Sequence, residues 1–172
     1  TVELFSDGSS IGTTTADGSG DWSFTPSSSL STGSQAITAT ATDAAGNTSN
    51  ASSALNVTIM GVINGTNNAD TLNGTKNSET INALDDNDIV RAGGGADIVN
   101  GGNGDDRLIG GTGDDLLIGG DDDDTYIITD SGDTVMENYS KGTDIIWSSV
   151  SFTASDNVEN LYLFGSSNIN AK

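Results

Sequence analysis

A nine-residue period in the middle of the chain constrains its fold more than any other feature. From Gly65 to Ile127 seven units follow one another without an insertion: GTNNADTLN, GTKNSETIN, ALDDNDIVR, AGGGADIVN, GGNGDDRLI, GGTGDDLLI and GGDDDDTYI. The sixth position is always acidic: Asp70, Glu79, Asp88, Asp97, Asp106, Asp115 and Asp124. The eighth is always large and apolar or aromatic: Leu72, Ile81, Val90, Val99, Leu108, Leu117 and Tyr126. Such a period indicates an architecture of stacked repeats.

Each unit divides into a turn and a short strand. Glycines in the first positions permit backbone angles that side chains forbid, so a tight turn is able to aim its carbonyl groups inward. The last three residues then extend as a strand with the apolar residue facing a core. Two units complete one coil, so the acids of alternate units stack above one another. We expect one column of Asp70, Asp88, Asp106 and Asp124, and a second of Glu79, Asp97 and Asp115, which Asp133 would extend.

The charge balance limits the partners of the chain. There are 25 acidic residues against five Lys and Arg, which gives a formal net charge of −20. A polyanion of this kind repels nucleic acids and anionic membrane surfaces, and it attracts cations. No apolar run approaches the ~20 residues of a membrane helix. We therefore expect neither nucleic-acid binding nor membrane insertion.

The absence of Cys and His excludes several kinds of chemistry. Without them the chain has no disulfides, no Cys or His zinc ligands, no cysteine nucleophile and no Ser–His pair. Paired carboxylates of the glycosidase type remain conceivable, but the repeat already accounts for most of the acids. We expect no enzymatic activity. Only 33% of the residues are hydrophobic, so something other than a large core must hold the fold.

The stacked turns point to calcium. Carboxylates and carbonyls of vertically adjacent turns converge, and Ca²⁺ takes 6–8 oxygen ligands whereas Mg²⁺ demands a tighter octahedron and retains its waters. Three gaps in the first column and two in the second predict about five Ca²⁺ sites, with one or two more at the C-terminal end.

The repeat resembles the RTX motif G-G-x-G-x-D-x-U-x, which Gly101–Asp106 and Gly110–Asp115 match fully. Thr66 and Thr75 replace the second glycine of the first two units, and Glu79 is longer than the usual Asp. The resemblance implies a parallel β-roll, Ca²⁺ binding and type I secretion of an unfolded chain, hence a secreted or bacterial cell-surface location. Further expected ligand residues in the most regular turns are Gly101, Asn103, Asp105, Gly110, Thr112, Asp114, Gly119, Asp121 and Asp123.

The first 60 residues have a different pattern, that of short strands separated by turns. Asp7-Gly8 is a hairpin signal, Asp21–Thr25 predicts a strand with Trp22 and Phe24 on one face, and Ala36–Thr42 alternates strictly. The sequence of this segment resembles the bacterial Ig-like domains of large surface adhesins. A complete Ig sandwich takes ~100 residues, so we expect a partial one, either truncated or completed by a strand from elsewhere.

The sequence thus predicts an all-β chain of three parts: a partial Ig-like β-sandwich over 1–60, a parallel β-roll over 61–136 and a β-rich C-terminal cap over 137–172. In the last part Asp144 and Ile146 keep the phase of the repeat after a short insertion, and Ile145–Phe152 and Val158–Phe164 are strand-like. A cap is expected where a stack of repeats ends.

Three functions fit this organisation. The first is a calcium-binding segment, folding only with calcium, of a type I secreted bacterial RTX surface adhesin. The second is the non-catalytic C-terminal part of a secreted lipase, protease or epimerase. The third is a self-assembling surface-layer or filament protein. Besides calcium, the expected partners are a cell surface, a glycan or further copies of the chain.

Overall fold

The chain folds entirely into strands and turns. The computed structural model describes residues 1–165 and 169–170, and within these ranges it contains fifteen strands and no helix, so no helix there is able to cross a membrane. The all-β class is therefore confirmed. The chain divides into two compact units, Thr1–Ile59 and Met60–Lys172. The further boundary between the roll and the cap stays a prediction.

The first unit is a four-stranded antiparallel sheet. Its strands are β1 (Val2–Ser6), β2 (Ser9–Thr14), β3 (Gly33–Ala41) and β4 (Leu55–Ile59), in the order β2-β1-β3-β4. Asp7 and Gly8 join β1 to β2 with positive φ angles of 47° and 80°. Two such residues form the type I′ turn that matches the twist of a hairpin.

The expected strand at Asp21–Thr25 is wrong, because the segment between β2 and β3 contains no strand. The carboxylate of Asp17 instead accepts hydrogen bonds from the backbone N–H groups of Ser19 and Asp21, at 2.8 and 3.0 Å. This local turn satisfies backbone donors that a strand would need for a ladder. Trp22 remains 46% exposed, while the ring of Phe24 lies over Gly12 of β2, where a Cβ would be 2.8 Å from it. The segment therefore meets the sheet through a side chain.

The second unit is a parallel β-roll. Its strands are β5 (Gly61–Asn64), β6 (Thr71–Asn73), β7 (Glu79–Asp85), β8 (Ile89–Gly94), β9 (Ile98–Asn103), β10 (Arg107–Thr112), β11 (Leu116–Asp121), β12 (Thr125–Ile128), β13 (Thr134–Met136), β14 (Ile145–Ser148) and β15 (Asn160–Leu163). Strands β6, β8, β10, β12, β14 and β15 form one sheet, and β5, β7, β9, β11 and β13 form the other. The chain alternates between the sheets, so two nine-residue units make one coil, as the period predicts.

The eighth positions of the repeats form the core. In one sheet Leu108 pairs with Val90 on one side and Tyr126 on the other, and in the second sheet Leu117 lies between Val99 and Val135. These side chains are almost completely buried. Because every coil repeats this inward position, each sheet contributes one large apolar side chain per coil, and Ala83, Ala92 and Ile128 add to the same core.

The last part of the chain extends this stack. Strand β14 pairs in parallel with β12, and β15 pairs with β14. Both strands are shorter than the stretches Ile145–Phe152 and Val158–Phe164 that the pattern indicates. The cap is built from the same sheet as the repeats.

The second glycine of a unit holds a backbone conformation that other residues rarely adopt. Gly111 has a φ of 106°, and a Cβ built on it would collide with the carbonyl oxygen of Gly93 in the coil below. Stacking therefore requires glycine here for two reasons, the left-handed φ and the close approach of backbones. Asp122 stands at the fourth position of the seventh unit, where the regular units have their third glycine. It also has a left-handed conformation, with a φ of 78°.

We expect Gly111→Ala to lower the free energy of unfolding of the roll by about 2 kcal/mol or more, because it adds φ strain and a backbone collision. Calorimetric unfolding at a fixed calcium concentration measures this loss. Gly18→Ala is the control, since a Cβ there meets no atom within 4 Å and should change stability by less than about 0.5 kcal/mol. Equal effects of the two substitutions would contradict the stacking argument.

Candidate metal centres in the turns

The sixth-position acids stand in two columns, one for each sheet. Asp70, Asp88, Asp106 and Asp124 directly precede β6, β8, β10 and β12, while Glu79, Asp97, Asp115 and Asp133 begin or precede β7, β9, β11 and β13. The alternation of the chain between two sheets produces this division, as the period predicts. Asp144, which precedes β14, lengthens the first column.

Hydrogen bonds join the members of each column. Oδ1 of each upper aspartate accepts the backbone N–H of the acid one coil earlier, as Asp106 does from Asp88 and Asp115 does from Asp97. Seven such bonds of 2.6–3.2 Å link Asp70 to Asp144 and Glu79 to Asp133. Each bond uses one oxygen of the carboxylate and fixes its orientation, because N–H donors hold a carboxylate in place.

The other carboxylate oxygen has no hydrogen-bond partner. This holds for Oδ2 of six buried residues, namely Asp88, Asp97, Asp106, Asp115, Asp124 and Asp133. Each of these side chains is at most 6% exposed. A buried charged oxygen without a partner is strongly unfavourable, so six equivalent cases in register indicate a ligand that the protein itself does not supply.

The space beside these oxygens is lined by backbone oxygen. A Cβ built on Gly101 would collide with Oδ2 of Asp106 and would lie 2.7 Å from the carbonyl oxygen of Gly119 in the next coil. At Gly110 a Cβ would lie 2.5 Å from Oδ2 of Asp115. The first glycine of the unit thus leaves a cavity bounded by carboxylate and carbonyl oxygens. That donor set, without nitrogen or sulfur, fits Ca²⁺.

Burial strongly raises the pKa of acids in the columns. Desolvation raises the pKa of Asp106 and of Asp115 to about 7 and that of Asp124 to about 8, although the backbone hydrogen bond to each carboxylate opposes the shift. Neighbouring acids in the column raise the pKa further by repulsion. Without a bound cation these groups are therefore partly protonated near neutral pH.

The first two units are different, because their carboxylates are already bonded. Oδ2 of Asp70 accepts hydrogen bonds from the N–H and the hydroxyl of Thr66, at 2.7 and 2.9 Å. Glu79 is held in the same way by the N–H and the hydroxyl of Thr75, at 2.9 and 2.5 Å. A threonine in place of the second glycine thus satisfies the acid of its own unit. These two threonines are departures from the repeat pattern that remove the unpaired oxygen.

The third and fifth positions of the regular units lie on the outside of the roll. Asp105, Asp114 and Asp123 are exposed, as are Asn103 and Thr112, and Asp121 is half-buried. Their polar groups bond to neighbouring coils: Asp123 N–H to Asp105 Oδ1 at 3.1 Å, and Lys141 Nζ to Asp121 Oδ2 at 2.5 Å. The buried glycines Gly101, Gly110 and Gly119, in contrast, adjoin the carboxylate columns. A ligand role for the outer residues stays a prediction.

The structure also places groups in the first column that the list of expected ligands lacks. Glu137 and Asp144 are 9% and 1% exposed, and their carboxylates lie near that of Asp124. Glu137 follows the nine-residue period as the first residue of a ninth unit, a position at which glycine is otherwise usual. Its phase in the nine-residue period is the sequence signal that indicates a position beside the turns.

Comparison with protein families gives the same division of the chain. Residues 64–99, 73–108 and 100–135 match the RTX calcium-binding nonapeptide repeat, and residues 1–59 match a bacterial Ig-like domain. No curated protein matches the chain.

Parallel coils with columns of buried carboxylates define a calcium-binding β-roll. The chain carries RTX calcium-binding repeats, preceded by a bacterial Ig-like domain, and the resemblance seen in the sequence is confirmed. Both elements are typical of secreted bacterial proteins.

We expect the metal-free roll to be more stable at low pH. Folding raises the pKa of Asp106, Asp115 and Asp124, so the folded form holds protons that the unfolded chain has released between pH ~4 and ~8. This contribution is complete below pH ~4 and is lost as the pH rises through about 7 to 8. Circular dichroism in calcium-free buffer should show more β structure at about pH 5.5 than at pH 8. Less structure at the lower pH would contradict the assignment.

Proposed function

We propose that this chain is a calcium-dependent folding segment of a type I secreted bacterial surface adhesin. The observation that carries the calcium requirement is the set of six buried aspartate oxygens without a hydrogen-bond partner. About five calcium ions are expected, with more at the ends of the columns. The adhesin context rests on the Ig-like domain that directly precedes the repeats.

The charges and the small apolar core of the roll contribute little to its stability without a cation. Fourteen of the 25 acids lie in Gly65–Ile127 together with three bases, and each sheet contributes only one large core side chain per coil. Ordering the backbone costs ~1–2 kcal/mol per residue, and stacking the columns adds repulsion between carboxylates. Bound Ca²⁺ supplies positive charge and fills the coordination of oxygens that the protein leaves unpaired, so binding is coupled to folding.

This coupling suits a chain that crosses membranes unfolded. Extracellular calcium modules bind with dissociation constants of ~10⁻⁴–10⁻³ M. Sites of that affinity remain empty at cytosolic calcium levels and fill outside the cell. The segment would therefore stay unfolded before export and fold on exit, which supports the type I route.

Two other contexts remain as alternatives. An RTX roll also fits the C-terminal part of a secreted enzyme, with the catalytic domain elsewhere in the protein. Self-assembly is favoured by the first unit, whose four-stranded sheet has β2 and β4 as its outer strands. Open edges accept an additional strand from another chain. An adhesin is preferred because the domain that accompanies the repeats in this chain is a bacterial Ig-like domain.

We expect chelation with EGTA at pH 8 to abolish the β signal of the roll in circular dichroism, and excess Ca²⁺ to restore it. Mg²⁺ at the same concentration should not restore it, because the turns offer large oxygen cages and not a tight octahedron. A β signal that survives chelation unchanged would rule out calcium-dependent folding.

We expect Asp115→Asn to reduce the number of calcium ions bound, measured by native mass spectrometry, by at least one per chain. Asn keeps the Oδ1 acceptor for the N–H of Asp97 and removes the charge of the unpaired oxygen. Asp156→Asn is the matched control, since Asp156 is exposed and stands outside the columns. Unchanged stoichiometry in the Asp115 variant would argue against a metal site there.

The context of the segment is tested separately. Sequencing of the complete encoding gene should show further Ig-like units if the protein is an adhesin, and a catalytic domain if it is an enzyme. Size-exclusion chromatography in calcium addresses assembly, because a strict monomer over a wide concentration range would argue against strand addition between chains.

A further inference from the structure

Three carboxylates meet at the C-terminal end of the first column. The side chains of Asp124, Glu137 and Asp144 are buried, and one oxygen of each lies within 4.8 Å of the others. Glu137 and Asp144 lie beyond residues 64–135, the part of the chain that matches the calcium-binding repeat. The group therefore differs in composition from the turns below it.

The register of the roll brings Glu137 into this place. Met136 pairs with Ile118, so Glu137, one residue further, stacks above Gly119. In the regular coil below, the carbonyl oxygen of Gly119 lies beside Gly101 and Asp106. At the next level a carboxylate enters the equivalent space. A Cβ on Gly119 would collide with Oδ2 of Asp124, with Oε1 of Glu137 and with the hydroxyl oxygen of Tyr126. These three groups thus surround one point.

The hydrogen bonds of the group do not satisfy all of its carboxylate oxygens. Oδ2 of Asp124 has no partner, although this side chain is only 1% exposed. Oδ1 of Asp144 accepts the N–H of Asp124 at 2.9 Å, and Oε2 of Glu137 accepts the N–H of Asn138 at 3.0 Å. The Tyr126 hydroxyl donates a further hydrogen bond to Oε1 of Glu137. The unpaired oxygen lies beside Gly119, as do Oε1 of Glu137 and the Tyr126 hydroxyl.

No cationic side chain balances this charge within the described residues. The ion pair that the structure records there joins Lys141 to Asp121, on the exposed side of the turn. Three buried carboxylates without a counter-ion are electrostatically unfavourable unless protons or a metal neutralise them. Water is largely excluded, because each side chain is at most 9% exposed.

We propose that Asp124, Glu137 and Asp144, with the hydroxyl oxygen of Tyr126, form a separate Ca²⁺ site that closes the roll. It depends on the function proposed above only for the choice of calcium as the cation. Three carboxylates give this site more ligand charge than a turn that combines aspartate with backbone carbonyls, and ligand charge is one of the factors that set calcium affinity. Because Glu137 and Asp144 lie at the two ends of the connection between β13 and β14, an ion shared with Asp124 links this connection to the last full repeat. It is therefore expected to bind more tightly than the repeat sites.

Glu137→Gln tests the site with little change of shape. The amide oxygen still accepts the hydrogen bond of Tyr126, but the negative charge and the acceptor for the N–H of Asn138 are lost. In native mass spectrometry across a calcium titration, the variant should bind one calcium fewer per chain than the unchanged protein, and the missing ion should be one of the first to bind. Glu3→Gln, in the first unit, is the matched control, because it also keeps an acceptor for its neighbour Ser10.

Asp144→Asn tests the same site independently, since Asn retains the acceptor for the N–H of Asp124. Each single variant and the double variant should all lose the same one calcium. Loss in one variant only, or loss of two ions in the double variant, would overturn a shared site. So would a Glu137 variant that binds as many ions as the unchanged protein and with the same affinities. If the unchanged protein bound no calcium at all, the folding proposal itself would fail.

Thermal unfolding separates a metal ligand from a purely structural side chain. If Glu137 is a ligand, the melting temperature of Glu137→Gln rises less with calcium concentration, so its deficit relative to the unchanged protein grows as calcium is raised. The same deficit at every calcium concentration at which the roll folds, with unchanged stoichiometry, would assign Glu137 a structural role and overturn the site.

Discussion

Buried carboxylates without a protein counter-charge are the constraint on which the rest of this roll depends. One oxygen of each aspartate is bonded to the coil below, as Asp106 is to Asp88, and the other has no partner. The first oxygen sets the spacing of the coils, and the second creates a demand for a cation. Because both belong to the same side chain, coil stacking and cation binding are not independent. A single residue type therefore couples the architecture to the ionic environment.

The apolar core alone does not offset this demand. Each coil contributes one large inward residue per sheet, such as Leu108 or Leu117, and only 33% of the chain is hydrophobic. The fold also contains no disulfide, since there is no Cys. A thin core and a high density of acids place the metal-free roll near the limit of stability, where a change in calcium or in pH decides whether it folds. The same features that lower the stability of the roll make its folding depend on calcium and on pH.

The two ends of the roll handle the unpaired oxygen differently from the middle. At the beginning, Thr66 and Thr75 bond the carboxylates of Asp70 and Glu79, so these acids depend less on a cation. At the other end Glu137 replaces a glycine and adds charge. In a stack of identical units, the turn at each end has a neighbouring coil on one side only. The substitutions at the two ends differ: they add hydroxyl donors at one end and a further carboxylate at the other.

The amino-acid sequence by itself determined the periodic part of this protein: the coil of two units, the two sheets, the inward column of Leu108 and its equivalents, and the two columns of acids. These follow from local spacing, because each unit repeats the same turn and strand. Only the tertiary structure decided the rest. Trp22 lies outside any strand because the carboxylate of Asp17 takes up nearby backbone donors. Thr75 satisfies Glu79, and Glu137 meets Asp124 and Asp144 across an insertion. Such contacts depend on which side chains meet within a turn or from the next coil, and a linear pattern does not show that.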